Sequence, residues 1–423
     1  YYFGKISVSN TNENKLVISG YNLMVSTDGG KTFTGTDNDA THPDWHGCWM
    51  NPNKDSHWIA GNDGGCNVTY DNGEHWFKAN TPSVGQFYKI AVDDAKPYNI
   101  YGGLQDNGTW FGPATTKNID QWDYEGIYPW KQIGGGDGMQ VAIDTRDNKT
   151  AYSGSQFGFY GRRSTDGGKR LFIYPRPDLG EARYRFNWQT PIWLSKHNQD
   201  VFYYATNRFH RSLQKGENLE PLSADLTNGT KEGDVPFGTS TTFAESPIKF
   251  GLIYVGTDDG NIQVSKDAGY SWTKVSGSLP KTVQGMYVSR VAPSAFKEGR
   301  LYASLNGYRN DHFGAYLFVS EDYGTTWTQL GTDLPMEPIN VVTEDPKKEN
   351  IIYVGTDNGL YASFNMGKTF MILNNNLPRV PVHDIVIQQR ENELVLGTHG
   401  RSIYIAKLKE LHKLYDKMIG ERN

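Results

Sequence analysis

Ser320-Glu-Asp322-Tyr-Gly324-Thr-Thr-Trp327 decides the fold, because the chain writes it again and again. The same order of residues occurs at Ser26-Thr-Asp28-Gly-Gly30-Lys-Thr-Phe33, Thr69-Tyr-Asp71-Asn-Gly73-Glu-His-Trp76 and Ser265-Lys-Asp267-Ala-Gly269-Tyr-Ser-Trp272. Ser363-Phe-Asn365-Met-Gly367-Lys-Thr-Phe370 replaces Asp with Asn, and Ser164-Thr-Asp166-Gly-Gly168 lacks the closing Thr-Trp. Each segment reads as a hairpin tip. The Asp carboxylate accepts backbone N–H groups across the turn. Gly supplies a positive φ, and the terminal aromatic starts the next strand and packs between neighbouring sheets.

Outward from each tip lies a second repeated feature, an apolar strand ending in Gly or a polar residue. These strands begin at Leu16, Trp58, Ile100, Ala151, Phe202, Ile253, Leu301, Ile352 and Leu394. The spacing of about 47 residues suits one four-stranded propeller blade. A polar turn precedes each strand, as in Pro346-Lys-Lys-Glu-Asn350, and an Asx-Gly pair usually follows, as at Asp63-Gly64, Asn107-Gly108, Asp259-Gly260 and Asn358-Gly359. Each unit therefore reads strand A, polar turn, strand B, Asx-Gly turn, strand C, Asp tip, strand D. The ninth unit supplies A, B and C alone.

The expected fold is all-β, a β-propeller of seven to nine four-stranded antiparallel blades. It occupies residues 1–406. Alternatively, 1–85 end a preceding propeller and 86–406 form a seven-bladed ring. Residues 407–423 carry Leu408, Leu411, Tyr415 and Met418 at near-helical spacing and predict a short C-terminal helix.

Composition agrees. Aromatics make up 13% of the 423 residues and there are 47 Gly, a mixture of strand formers and turn residues. The formal charge of −5, without a long basic run, gives no electrostatic reason to expect nucleic acid. No stretch of about 18 apolar residues offers a transmembrane helix. Numbering starts at Tyr1 with residues 3 to 9 already part of a repeat, which suggests a portion of a longer multidomain chain or surface complex. Cys48 and Cys66 fall on the first and third strands of one unit, about 9–10 Å apart, and are expected as free thiols.

Propeller sites usually sit at one end of the axis, on the B–C turns and on the loops leading into strand A. Asp tips lie at the other end, so Asp28, Asp71, Asp166, Asp267, Asp322 and Asn365 are expected to be scaffold. Loops leading into strand A carry Asp44, His46, Gln86, Tyr88, Asp137, Arg185, Asn187, Gln189, Thr239, Tyr287, Arg290, Glu337 and His383. Asp137 sits inside Gly134–Gly138, where a ligand or another backbone can approach closely. The B–C turns add Asp63, Asp106, Asp258, Arg309, Asn310, Asp311, Asp357, His399 and Arg401. Asp63, Asp106, Asp258 and Asp357 recur at one repeat position, as turn chemistry requires. Leu305–His312 is longer than its siblings.

The expected ligand-binding set is Arg185, Gln189, Arg309, Asp311, His399 and Arg401. The catalytic candidates are Asp137, Asp106 and Asp44, with Trp45, Trp110, Tyr128 and Trp130 available to stack on sugars. No metal or cofactor motif is present. The acidic turns offer oxygens of the kind Ca²⁺ takes.

The Ser-x-Asp-x-Gly-x-Thr-Trp pattern is the Asp-box, or BNR repeat. Gly61–Gly65 running into Tyr70-Asp-Asn-Gly73, Gly85-Gln-Phe-Tyr88, Tyr101–Gly108, Gly134–Gly138, Val288–Pro293 and Gly397–Tyr404 make the chain similar to bacterial BNR-repeat, sortilin-like (VPS10-type) proteins labelled glycosyl hydrolases. Members look about twice this long, with tandem propellers. The resemblance implies an exported, extracellular or cell-surface module that binds a protein or glycan. The other reading is a glycoside hydrolase with an Asp pair on the axial face. Sialidase-type enzymes have an Arg-Ile-Pro motif that this chain lacks, and the aspartate contexts of the xyloglucanase type find no match.

Overall fold

The computed structural model describes residues 2–36, 41–79, 84–116 and 129–420. Antiparallel sheets make up almost all of it: eight have four strands and one has three. All nine are simple up-and-down meanders, and every repeated apolar strand occupies the second position of its sheet. The protein is a β-propeller. It divides into two compact units, residues 1–84 and 85–423.

The first unit holds two sheets, whose A strands are Lys5–Val8 and Trp45–Asn51. Its core packs Val17, Leu23, Trp45, Met50 and Trp58 beside Trp76. Cys48 and Cys66 are free, and burial pushes the Cys48 thiol up to about 12.

The second unit holds seven sheets, here blades I to VII. Their A strands are Phe87–Val92, Val141–Ile143, Ile192–Leu194, Ser240–Glu245, Tyr287–Pro293, Ile339–Glu344 and Val382–Gln388. The ring closes between VII and I. The Ile90 amide donates to Asp384 Oδ2 at 3.0 Å, Tyr98 Oη donates to Glu393 Oε2 at 2.7 Å, and Val395 packs with Phe87, Ile90 and Ile100. Blade VII has three strands, Val382–Gln388, Glu393–Thr398 and Ile403–Lys407.

A buried tyrosine marks the second strand of six blades: Tyr101, Tyr152, Tyr203, Tyr254, Tyr302 and Tyr353. Burying a ring of this size contributes roughly 4–6 kcal/mol gross at about 25 cal/mol per Å². Four phenols also find a carboxylate: Tyr101 bonds to Asp93, Tyr203 to Glu245, Tyr302 to Glu344 and Tyr353 to Asp345, at 3.0 to 3.3 Å. These acids close or follow strand A, so each pair ties the outer end of two strands together.

The C-terminal helix, Lys409–Gly420, belongs to the second unit. Leu408, Leu411 and Tyr415 join the core shared by blades VI and VII. His412 Nε2 meets Asp345 Oδ2 at 2.7 Å, and Asn350 Nδ2 donates to Tyr415 Oη at 2.6 Å. The near-helical apolar spacing therefore closes against the propeller.

Five of the six Asp tips share one bonding scheme. Asp322 Oδ1 accepts the Thr326 amide at 2.8 Å and the Ser320 hydroxyl at 2.8 Å, while Oδ2 accepts the Thr326 hydroxyl at 2.7 Å. Asp28, Asp71, Asp267 and Asn365 accept equivalent amides at 2.9 to 3.0 Å. The aromatics that follow pack as expected, Trp272 lying 5.2 Å from Phe209 of the preceding blade. Asp166 departs from the scheme. Ser164 pairs directly with Gly167, so this tip is a tight two-residue hairpin, and Asp166 takes the Lys149 ammonium at 2.6 Å. Without the Thr-Trp that follows the other tips, nothing returns an amide to the carboxylate.

Candidate functional site

Seven A strands converge on the axis of the second unit. The A strands of blades I, IV, V, VI and VII, together with the B–C turns of blades V, VI and VII, line a cavity of ≈ 400 Å³. Tyr88, Lys89, Thr241, Tyr287, Ser289, Asn340 and His383 come from or beside A strands, and Gln189 from the loop leading into blade III. Tyr308, Arg309, Asp357 and His399 come from the B–C turns, and Asn306 from the second strand of blade V. The longer turn of blade V does the most shaping. Tyr308–Asn310 makes one 3₁₀ turn and Asp311 closes it in the left-handed region at φ 56°. This carries the Arg309 guanidinium over two rings, 4.6 Å from Tyr287 and 4.5 Å from Tyr308. A planar cation stacked between aromatic rings is held in place without losing its outward N–H donors.

A charged cluster lies beside the cavity. Asp384 Oδ1 accepts Arg290 Nη2 at 2.5 Å, and Lys89 Nζ stands 3.9 Å from the same oxygen. Burial lowers the Lys89 amine to about 8, with Arg290 adding to the effect and Asp384 opposing it. His383 and His399 stack at 4.4 Å between ring centroids. Burial pushes His383 down to about 3, helped by His399 and Lys89, and it lowers His399 as well. Both rings are therefore neutral at pH 7. Burial raises the Tyr88 phenol to about 12.

The expected site residues separate cleanly. Gln189, Arg309 and His399 line the cavity. Arg185 does not; its guanidinium donates to Gly238 O at 3.0 Å, Asp225 Oδ2 at 2.6 Å and Thr227 Oγ1 at 2.9 Å, so its role is to bind this loop to its neighbours. Asp311 and Arg401 are exposed and outside the cavity lining.

Among the carboxylates, Asp137 Oδ1 accepts the Asp106 amide at 2.9 Å and Oδ2 accepts Gln156 Nε2 at 2.7 Å. The glycines around Asp137 admit another stretch of backbone: a Cβ on Gly138 would stand 2.0 Å from Gly108 O. Asp137 thus fixes the B–C turn of blade I. Asp44 belongs to the first unit and opens a strand at φ 64°. Asp258 holds the Thr239 amide at 2.9 Å and its hydroxyl at 2.7 Å, and Asp357 accepts Asn340 Nδ2 at 2.9 Å. Trp45 is buried in the first core, Trp130 packs in the core between blades VII and I, and Trp110 Nε1 donates to Asn107 O at 2.7 Å. Tyr128 lies outside the described residues.

Sequence reasoning named Lys89 and Asn340 nowhere, and reached Asn306 only as part of the long Leu305–His312 turn. They sit at ordinary strand positions, where only the convergence of blades turns them toward one space. Among the described residues, Asp71, Glu74 and His75 are grouped closely enough to hold a metal ion, but Asp71 already receives the His75 amide and ring.

The fold and the cavity define a β-propeller with an axial mouth. No protein-family model and no curated protein sequence matches the chain. Solved structures do. The extracellular domain of a putative hybrid two-component system from B. thetaiotaomicron matches at 13% identity and a TM-score of 0.51, covering 96% of this chain and 51% of that one. A GH74 enzyme from Niastella koreensis matches at 14% identity and a TM-score of 0.35, covering 96% and 67%. The GH74 xyloglucanase from Xanthomonas campestris matches at 13% and 0.32, covering 96% and 71%. The first of these likenesses shows the propeller fold, and the chain spans about half of that neighbour's length.

Proposed function

We propose that the second unit is a saccharide-binding module of an extracellular or cell-surface protein, taking its ligand at the axial mouth. The first unit is then the end of a preceding propeller, as in tandem sortilin-like BNR-repeat proteins. One observation carries this reading. A single cavity brings the side chains of Tyr88, Tyr287 and Tyr308 together with the amides of Gln189, Asn306 and Asn340. Aromatic faces suit the apolar side of a sugar ring, and a few convergent amides and charges fix the orientation of its hydroxyls. Binding is favoured over hydrolysis because the carboxylates nearest the mouth are occupied. A glycosidase uses two, roughly 5–5.5 or 6.5–9.5 Å apart, one giving and one taking a proton. Asp137, Asp357 and Asp384 each already hold protein donors.

The test is a glycan array followed by calorimetry on the full chain. Arg309→Ala loosens the Tyr287–Tyr308 wall and is expected to weaken binding by about tenfold, or about 1.4 kcal/mol. Its melting temperature should stay near that of the parent, because Arg309 is exposed. A captured protein with no glycan bound would replace this reading by a protein-binding one. Release of reducing sugar from a polysaccharide would replace it by an enzymatic one.

A further inference from the structure

We infer that the saccharide is acidic, and that Lys89, with Arg290 behind it, forms the seat for its oxyanion. This rests on the mouth being the binding site. The argument starts from charge. Lys89 lines the cavity with its side chain 17% exposed, and among the described residues its one ionic partner is Asp384 at 3.9 Å. That carboxylate is already committed, to Arg290 through Oδ1 and to the Ile90 amide through Oδ2. Among the described residues, Lys89 Nζ makes no hydrogen bond closer than this loose pair. An ammonium has three donors, and leaving them unfilled while withdrawn from water is unfavourable.

Two further groups agree. Arg290 Nε is buried without a partner. Asn306, 4% exposed and lining the same cavity, has an unpartnered Oδ1. Of the charged side chains lining the mouth, Lys89 and Arg309 are cations and Asp357 is the carboxylate, and its two histidines are neutral. Donors in excess call for an oxyanion. The orphan acceptor at Asn306 calls for a hydroxyl beside it. A ring bearing both is a sugar acid or a sulfated sugar, which share the chemistry of two or three oxygens around one negative charge.

The experiment compares acidic oligosaccharides with their neutral counterparts: uronate and sialate oligomers against carboxyl-reduced forms, and sulfated oligomers against desulfated forms. Binding is measured by calorimetry on the full chain at low and high NaCl. The acidic member of a pair is expected to bind at least about tenfold more tightly. The advantage should shrink as salt is raised. The pair that shows it distinguishes carboxylate from sulfate. Lys89→Met should abolish the acidic preference, and Lys89→Arg should retain most of it. If Lys89→Met fails to fold, the salt and pairwise comparisons on the parent decide alone. Equal affinity for acidic and neutral members overturns the inference and leaves the saccharide reading standing. Binding of no oligosaccharide removes both.

Discussion

At the rim of the ring, the Asp267 and Asp322 carboxylates are surrounded by donors from their own turns: a backbone amide and the hydroxyl of the same residue, and a serine behind. These bonds hold both acids below the usual carboxylate range. At the axial mouth the sign is reversed. Cations outnumber the acids that serve them, and burial lowers Lys89 and His383 away from their charged forms. One end of the blade has completed its hydrogen bonding by local sequence, and the other has been left incomplete by the way blades meet. Incompleteness of that kind is where a ligand gains most.

The sharpest way to break the comparison is Asp384→Ala. It leaves Arg290 and Lys89 facing each other without the carboxylate between them, and frees the Ile90 amide at the seam of blades VII and I. Breaking a buried ion pair by removing one partner costs about 3–5 kcal/mol. Urea unfolding is expected to register a loss of that order. A loss below about 1 kcal/mol would mean that the mouth tolerates unopposed cations and is far wetter than the geometry implies.

The pH dependence separates the two ends. His383 is lowered to about 3, beneath the ordinary 6.5. Between those values the unfolded chain binds a proton that the folded chain refuses, so stability falls as pH drops from about 6.5 toward 3. The rim behaves differently. Asp267 and Asp322, held below the ordinary 3.8 by hydrogen bonds from their turns, contribute stability that is present above 3.8 and lost as pH falls below it. Denaturant midpoints measured from pH 7 to pH 4 should therefore fall for the parent. They should fall less for His383→Gln, since the rim carboxylates are still ionised in most of that window.

The smallest effect belongs to the rim itself. Asn365 already shows that an amide serves at the tip: its Oδ1 accepts the Thr369 amide at 3.0 Å and Nδ2 donates to the Thr369 hydroxyl at 2.9 Å. Asp322→Asn should reproduce that arrangement and cost under about 1 kcal/mol, within the net worth of one hydrogen bond. A larger loss, read as a shift in urea midpoint, would show that the tip needs its charge.

Much of the fold was legible because its signals are local. Asx-Gly pairs, Ser-x-Asp-x-Gly tips and four-residue apolar runs each specify a turn or a strand within about ten residues, and repetition multiplies them. The same locality limits what the sequence says about single residues. Asp166 carries the first half of the tip signal without the Thr that returns an amide, so its turn tightened. Arg185 and Asp137 stand in loops facing the axis, but which polar groups lie across from them depends on chain 19 to 53 residues away.

By itself, then, the sequence determined a radial set of hairpins and which end of each faces the axis, since turn chemistry and strand alternation act between near neighbours. Only the tertiary structure decided that Lys89, Asn306, Arg309, Asp357 and His399 share one space. Those residues come from four blades, and their charges and donors are matched or left unmatched by packing around a closed ring, a condition that no stretch of chain can register alone.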